Sequence, residues 1–226
     1  MKLDCPLIVI DCETTGLHPA RNQVLSLGMV IINRHLVKTM RAEWKINMEH
    51  PSEILRKEYR SAQKVHKIGT WDALFGGWPL EDVIQELEWV AAAYPDALVA
   101  GNQSYFDYSF VTRMFEMVGK KNPFDYHTVD LTALGAVHLG VVGLKSIMLA
   151  VGLDPTKFTQ HNALADAEAT ADALIALLKM LQKEDEEKAA LLAATLAQQK
   201  MLSELRDEIE NYKADAGTLL DVNEKE

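Results

Sequence analysis

The sequence predicts an α/β domain built on a mixed sheet and extended at its C-terminus by a helical segment. Three observations predict it. Two apolar runs rich in β-branched residues, and a third segment of period two, open the chain as an antiparallel meander. Short strands then alternate with segments of helical period, the pattern of strands joined through helices. From residue 184 the composition shifts to Ala, Glu, Gln and Leu with no proline, which suits a continuous helix rather than a second core.

The elements follow in order. Leu7-Ile8-Val9-Ile10 is a continuous apolar run, predicting a strand buried on both faces, and it ends in the polar Asp-Cys-Glu-Thr-Thr-Gly. Val24–Ile32 predicts a second strand. Met40, Ala42, Trp44 and Ile46 alternate with Arg41, Glu43, Lys45 and Asn47, the period of a half-exposed strand at a sheet edge. Asn33-Arg34-His35 between them is short enough for a hairpin. Residues 52–67 predict a polar helix. Residues 79–94 predict a stronger one, with a proline at its start, Glu81 and Asp82 in its first turn, and Val83, Ile84, Leu87, Val90 and Ala91 on one face. Residues 97–100 predict a short strand, 105–118 a helix with Phe106, Phe110, Met114 and Met117 at helical spacing, and Val129 with Leu131 a last strand. Helices are expected at 144–151 and 162–182, ending the domain at residue 183.

Composition narrows the functional classes. The chain has 226 residues, 48% of them hydrophobic and 25% charged, a balance that supports one ordinary core with an appendage. Cys5 and Cys12 fall on one predicted strand and make neither a disulfide framework nor a thiolate metal site. No leader pattern and no apolar run of spanning length is present, so the expectation is a reducing cytoplasm and no membrane. The net charge of −10 argues at first against a polyanionic partner. It is unevenly placed: residues 184–226 carry 12 acidic and 5 basic side chains, whereas 34–67 carry nine Lys/Arg against four Glu. That surplus is available for phosphates, or is simply a solvated face.

The chemistry resides in a few acids. Asp11 and Glu13 sit two apart at the end of the first strand, so both side chains face one way and Cys12 the other. Two carboxylates at a strand end make a hard-oxygen site suited to magnesium or manganese, or, taken alone, are ordinary surface acids or helix caps. Asp107 opens a helix between aromatic residues; it is either a carboxylate placed at a helix start or a metal ligand. His161 and Asp166 are five apart at the opening of the last domain helix. That spacing is a poor match for one helix face and puts His161 at or before the cap.

Taken together, Ile-Asp11-Cys-Glu13-Thr-Thr-Gly-Leu, Asn-Gln-Ser-Tyr-Phe-Asp107-Tyr-Ser-Phe and His161-Asn-Ala-Leu-Ala-Asp166-Ala resemble, in order and spacing, the DnaQ-like 3'–5' exonucleases, the histidine-bearing branch of the DEDD superfamily. The tyrosine branch carries Y-x3-D where this chain has H-x4-D. The resemblance implies a ribonuclease H-like fold with a five-stranded mixed sheet. It implies two Mg²⁺ ions, replaceable by Mn²⁺, held by Asp11, Glu13, Asp107 and Asp166, with His161 as general base. The products would be 5'-mononucleotides cut from single-stranded nucleic acid or a frayed 3' end. It further implies nucleotide contacts at Thr14, Thr15, Gly16 and Leu17, at Phe106, and at His66 within Val65-His66-Lys67-Ile68. In place of the His-Asn-Ala that proofreading members carry, this chain has Asn102-Gln103-Ser104. An exoribonuclease of the ribonuclease T or oligoribonuclease type stays open beside a DNA exonuclease. A non-catalytic polymerase accessory module is a third reading, disfavoured by the full ligand set. In the tail, Leu202, Leu205, Ile209, Tyr212, Ala216 and Leu219 follow a 3-4 spacing. Two readings stand: a coiled coil joining a second copy or a replication partner, or a helix packed on its own domain.

Overall fold

The computed structural model describes residues 3–158 and 161–223, the last twenty of them as backbone alone. Five strands form one mixed sheet in the order β3-β2-β1-β4-β5. β1 (Leu7–Thr14) lies at its centre, antiparallel to β2 (Val24–Ile32) and parallel to β4 (Leu98–Gly101). β3 (Lys38–Lys45) is one edge and β5 (Thr128–Asp130) the other. All nine residues of β2 are buried, which explains its largely apolar sequence, while β3, at the edge, is exposed from Lys38 to Arg41 and buries only Trp44, so the predicted alternation is not kept along the strand. Met40 departs from that alternation: it is exposed although it shares the period of Trp44.

The two faces of the sheet are covered differently. α3 (Leu80–Ala93) and α4 (Ser104–Met117) pack Val83, Ile84, Leu87, Phe110, Val111, Met114 and Phe115 against Ile8, Ile10, Cys12, Leu27, Met29, Ile31 and Trp44. α7 (Ala163–Asn223) brings an alanine-rich first half to the other face, with Ala163, Ala167, Ala171, Leu174 and Leu177 buried. Small residues let that helix come close. A Cβ on Gly28 of β2 would lie 2.1 Å from the Ala163 carbonyl oxygen, so only glycine fits beneath the first turn of α7.

The connecting elements depart from the predicted ones in instructive ways. Residues 52–67 are not one helix: a 3-10 turn at Pro51–Leu55 precedes α1 (Lys57–His66), and α2 (Thr70–Phe75) follows. The break falls at Arg56, whose backbone is extended, and within the preceding turn Glu53 points inward as a buried acid. Leu131 is not a strand residue. It opens α5 (Leu131–Leu139), capped by Asp130, whose side chain accepts from the Ala133 N–H. α6 (Leu144–Ala150) completes the layer. Cys5 precedes β1 rather than lying on it, and both cysteines are free.

The structure divides into two compact units, Met1–Leu178 and Lys179–Glu226. In the second unit, residues 184–203 are exposed. Leu205 and the seam positions beyond it lie outside the residues whose side chains are described. No single described helix is long and apolar enough to cross a membrane.

Candidate active site

The site forms where the sheet's central strand outruns its neighbour. β4 pairs with β1 only as far as Val9, so beyond that point the edge of β1 facing β4 has lost its ladder partner. Asp107, in the first turn of α4, fills the gap: its Oδ1 accepts the Cys12 backbone N–H at 2.9 Å. The alternation of β1 sends Cys12 into the core and presents Asp11 and Glu13 on the opposite face. Asp11 pairs in register with Gly28, the glycine that admits the start of α7. The close approach of helix to strand therefore delivers Asp166, on the first turn of α7, to Asp11 and Glu13. Carboxylate oxygens of these three residues lie within 4.8 Å of one another.

Such crowding is costly for like charges, and the titration behaviour records it. Burial, then the nearby Asp107, Asp166 and Glu13 carboxylates, push Asp11 well above the ordinary carboxylate range. Burial and Asp166 push Glu13 up to about 7. Asp107 also stands at about 7: burial raises it, and the Cys12 hydrogen bonds pull back. Burial lifts Asp166, against the His161 and Asn162 backbone bonds that lower it. Three hard oxygen donors this close, each resisting ionisation when no cation is near, suit a divalent metal ion. The donor set lacks the thiolate and imidazole nitrogens that would favour softer metals.

His161 lies just before the cap of α7, where its spacing from Asp166 puts it. Asn162 caps the helix, its Oδ1 accepting the Ala165 N–H at 2.9 Å. Its Nδ2 reaches Glu43 Oε1 at 3.2 Å. His161 itself adopts φ +63°, in the left-handed region, so that its N–H donates to Asp166 Oδ2 at 2.7 Å. The imidazole is exposed beside Asp11 and Asp166.

A cleft of about 600 Å³ opens on the Glu13 side, lined by Thr14, Gly16, Leu17, His66 and Phe106 among others. Leu17 stands 75% exposed there, an uncovered apolar side chain beside the acids. Phe106 is half-buried and packs on Phe110 at 4.9 Å between ring centroids, so it belongs to core and cleft at once. His66 ends α1 with Nδ1 accepting the Ile68 N–H at 3.0 Å, while its Nε2 has no hydrogen-bond partner among the described residues. Burial lowers its pKa.

Two expected contacts sit differently from the sequence pattern. Thr14 is the last residue of β1 rather than part of the turn, though it does reach the cleft. Thr15 does not line it. Its side chain is fully buried, its hydroxyl donates to Glu53 Oε2 at 2.5 Å, and it accepts the Gln23 N–H at 2.9 Å. Glu53, which no sequence signal singles out, thus ties the 3-10 turn to the loop that carries Leu17. Asp130 is similarly silent in the sequence. Its Oδ2 accepts the Ser104 N–H at 2.9 Å while its Oδ1 caps α5, so it fixes the start of the helix bearing Asp107.

The basic surplus of residues 34–67 is partly consumed by the fold. Arg34 pairs with Asp96, Lys38 with Asp172 at 2.7 Å and Arg41 with Glu168 at 3.1 Å. Lys45, Lys57 and Lys67 are left along the clefts around the acids.

The likenesses to known proteins agree with this geometry. The sequence pattern of the exonuclease family matches residues 8–174, well over half of the chain. The chain is 26% identical over 182 residues to a PolC-type DNA polymerase III of Thermotoga maritima; the match covers 80% of this chain but 12% of that polymerase. It is 25% identical over 187 residues to Ribonuclease T of Wigglesworthia glossinidia brevipalpis, covering 78% of this chain and 86% of the relative. Among solved structures, the fold is similar to the nuclease domain of 3'hExo, a DEDDh family member bound to rAMP. There the TM-score is 0.65 at 16% identity, over 81% of this chain and 95% of that one. It is similar also to E. coli ExoI in complex with single-stranded DNA, with a TM-score of 0.60 at 17% identity, over 80% of this chain and 42% of that one. With the family pattern running from β1 into the start of α7, through the acids that the fold gathers, this chain belongs to the exonuclease family.

Proposed function

We propose that the protein hydrolyses nucleic acid from its 3' end, releasing 5'-mononucleotides, with Asp11, Glu13, Asp107 and Asp166 holding two magnesium ions and His161 acting as general base. The observation that carries this is the cluster of Asp11, Glu13 and Asp166 oxygens within 4.8 Å, bordered by a cleft sized for one nucleotide. Bound divalent ions, magnesium or manganese, would supply a polarised water and neutralise charge on the phosphate and the leaving oxygen.

The chain's own residues then divide the work. Leu17 and Phe106 flank the terminal base, and the Nε2 of His66, without a partner among the described residues, is a polar group within the same cleft. His161, on a backbone pinned by Asp166, takes a proton from the attacking water. The bond from phosphorus to the upstream 3' oxygen breaks, that oxygen gains a proton, and the phosphate stays with the released nucleotide. A Ribonuclease T relative matched over most of its length makes RNA a substrate to test beside single-stranded DNA.

The test is digestion of 5'-labelled single-stranded DNA, duplex DNA and RNA with magnesium, with manganese and with chelator. A ladder shortening from the 3' end, lost in chelator and in Asp11→Ala, is expected. Internal cuts, or an unchanged rate in Asp11→Ala, would overturn the reading.

A further inference from the structure

Leu17 can wall a base well only if the loop that carries it is already ordered, because ordering a loop on binding offsets the contact energy gained. The loop between β1 and β2 is braced from within. The His18 carbonyl accepts the N–H groups of Arg21 and Asn22, both at 2.9 Å, and Asn22 Oδ1 accepts the His18 N–H at 3.0 Å. The Asn22 side chain is buried so close to Gly16 that a Cβ there would lie 2.7 Å from Oδ1. Where the loop leaves the sheet, the Thr15 N–H donates to the Gln23 carbonyl at 2.8 Å. These bonds fix the shape of the loop, but not its placement over the cleft.

Placement comes from two side chains at the 3-10 turn. Glu53 reaches one end of the loop: its Oε2 accepts the Thr15 hydroxyl, and its Oε1 faces Arg56 Nη1 at 3.8 Å, within ion-pair range. Arg56 reaches the other end, where Nη1 donates to the Arg21 carbonyl at 2.6 Å. Leu17 lies in the stretch between these two anchors. The segment leading into the turn is itself tied down, since Gln23 Oε1 accepts the N–H groups of Glu49 and His50 at 2.7 and 3.1 Å. A buried acid is destabilising unless its oxygens are satisfied, and here the loop satisfies one of them. Neither Glu53 nor Arg56 is among the described residues lining the Leu17 cleft, so both act on a nucleotide there only through the loop.

We propose that Glu53 and Arg56 are positioning residues, which clamp the β1–β2 loop at both ends and so hold Leu17 as a preformed wall of the terminal-base site. Leu17 is then in place before the nucleotide arrives, and none of the binding energy goes into ordering the loop. Loosening either anchor leaves the acids and His161 untouched and weakens the hold on the base. This rests on the exonuclease reading, with the terminal nucleotide in the Leu17 cleft.

The experiment has two arms on the full chain: amide hydrogen exchange, and binding of thymidine 5'-monophosphate with calcium in place of magnesium. In Glu53→Ala, the Thr15, His18, Arg21 and Asn22 amides should exchange about tenfold faster or more, while those of β2 keep their wild-type rates. Arg56→Ala, a change at an exposed side chain that leaves the core intact, should quicken Arg21 and Asn22 likewise. Both variants should bind the mononucleotide about fivefold more weakly, raise KM on oligothymidylate and keep kcat within about threefold of wild type. Glu53→Gln retains an oxygen for the Thr15 hydroxyl and should restore both exchange and affinity. In a Leu17→Ala background, Glu53→Ala should change affinity by less than about twofold, because the side chain it positions is gone. Wild-type exchange in the loop of both variants would remove the clamp. An equal loss of affinity with and without Leu17 would show that the two residues act by another route. Wild-type protein that binds the mononucleotide through the clamped loop yet releases no nucleotide with magnesium would leave the positioning role standing and defeat the exonuclease reading. No binding of the mononucleotide by the wild type would overturn both.

Discussion

His161 carries two burdens, one in its backbone and one in its ring. Its left-handed φ costs about 1–3 kcal/mol for a non-glycine residue, and its N–H then holds the Asp166 carboxylate. Asparagine tolerates that conformation better than other residues but cannot take up a proton at neutral pH. His161→Asn should keep the melting temperature and the metal affinity while lowering kcat about 10²–10⁴-fold. Calorimetry with a metal titration and a turnover assay would check the split; a matching fall in metal affinity would give the imidazole a different role. The acids make a second prediction, for the protein in chelator. Glu13 and Asp107 stand at about 7 in the folded chain, above the ordinary carboxylate range they would have unfolded. The fold therefore binds more protons than the unfolded chain between about pH 4 and 7, and stability should fall as pH rises through that window. Magnesium should abolish the fall by supplying positive charge to the ionised acids. Melting curves at pH 5 and pH 8, with and without the ion, would show it.

At the scale of elements, the contact between β2 and α7 decides whether the acids meet. Gly28 lies opposite Asp11 in the ladder and beneath Ala163 in the helix. Gly28→Ala should force the first turn of α7 away, costing about 1–3 kcal/mol of stability as overpacking does, and lowering activity because Asp166 moves with the helix. Thermal melts and nuclease assays would separate this from a distant lesion. Leu87→Ala, in the fully buried face of α3 on the other side of the sheet, should cost about 2–5 kcal/mol while leaving the KM of the folded enzyme near wild-type. The same elements show how far sequence could be followed. Val24–Ile32 is legible to the residue because apolar side chains, interrupted only by Ser26 and Gly28, occupy a strand covered on both faces. The 3-10 turn at Pro51–Leu55 is not, because Glu53 within it is held by Thr15, 38 positions away in sequence, a contact no local pattern announces. α5 is missed for a related reason: its apolar residues follow no helical period, and Asp130, which caps it, also holds Ser104, 26 positions earlier.

At the scale of the molecule, the charge is segregated. Most of the net −10 lies in residues 184–226, whereas the lysines along the clefts belong to the first unit. The second unit exposes Leu191, Leu192, Leu196, Met201 and Leu202. Exposed apolar side chains at this density suit an association surface, and the expectation to test is that a second copy covers them. Light scattering should give the full chain twice its monomer mass and a 1–183 truncation a single mass, with the truncation still active on single-stranded DNA. A full chain of monomer mass would leave the tail for a different partner.

What the sequence determined is local. Strand and helix periods place Asp11 and Glu13 on one face of a strand, Asp107 at a helix start and His161 ahead of a cap, because each of these depends on neighbours a few positions away. Only the tertiary structure decided that the oxygens of Asp11, Glu13 and Asp166 converge within 4.8 Å and that Thr15 turns from the cleft to Glu53. It also decided that Asn102 and Lys145 share a wall with Asp11. Those facts depend on where β4 stops pairing and on how closely α7 approaches Gly28, packing distances between segments far apart in the chain, which no local pattern encodes.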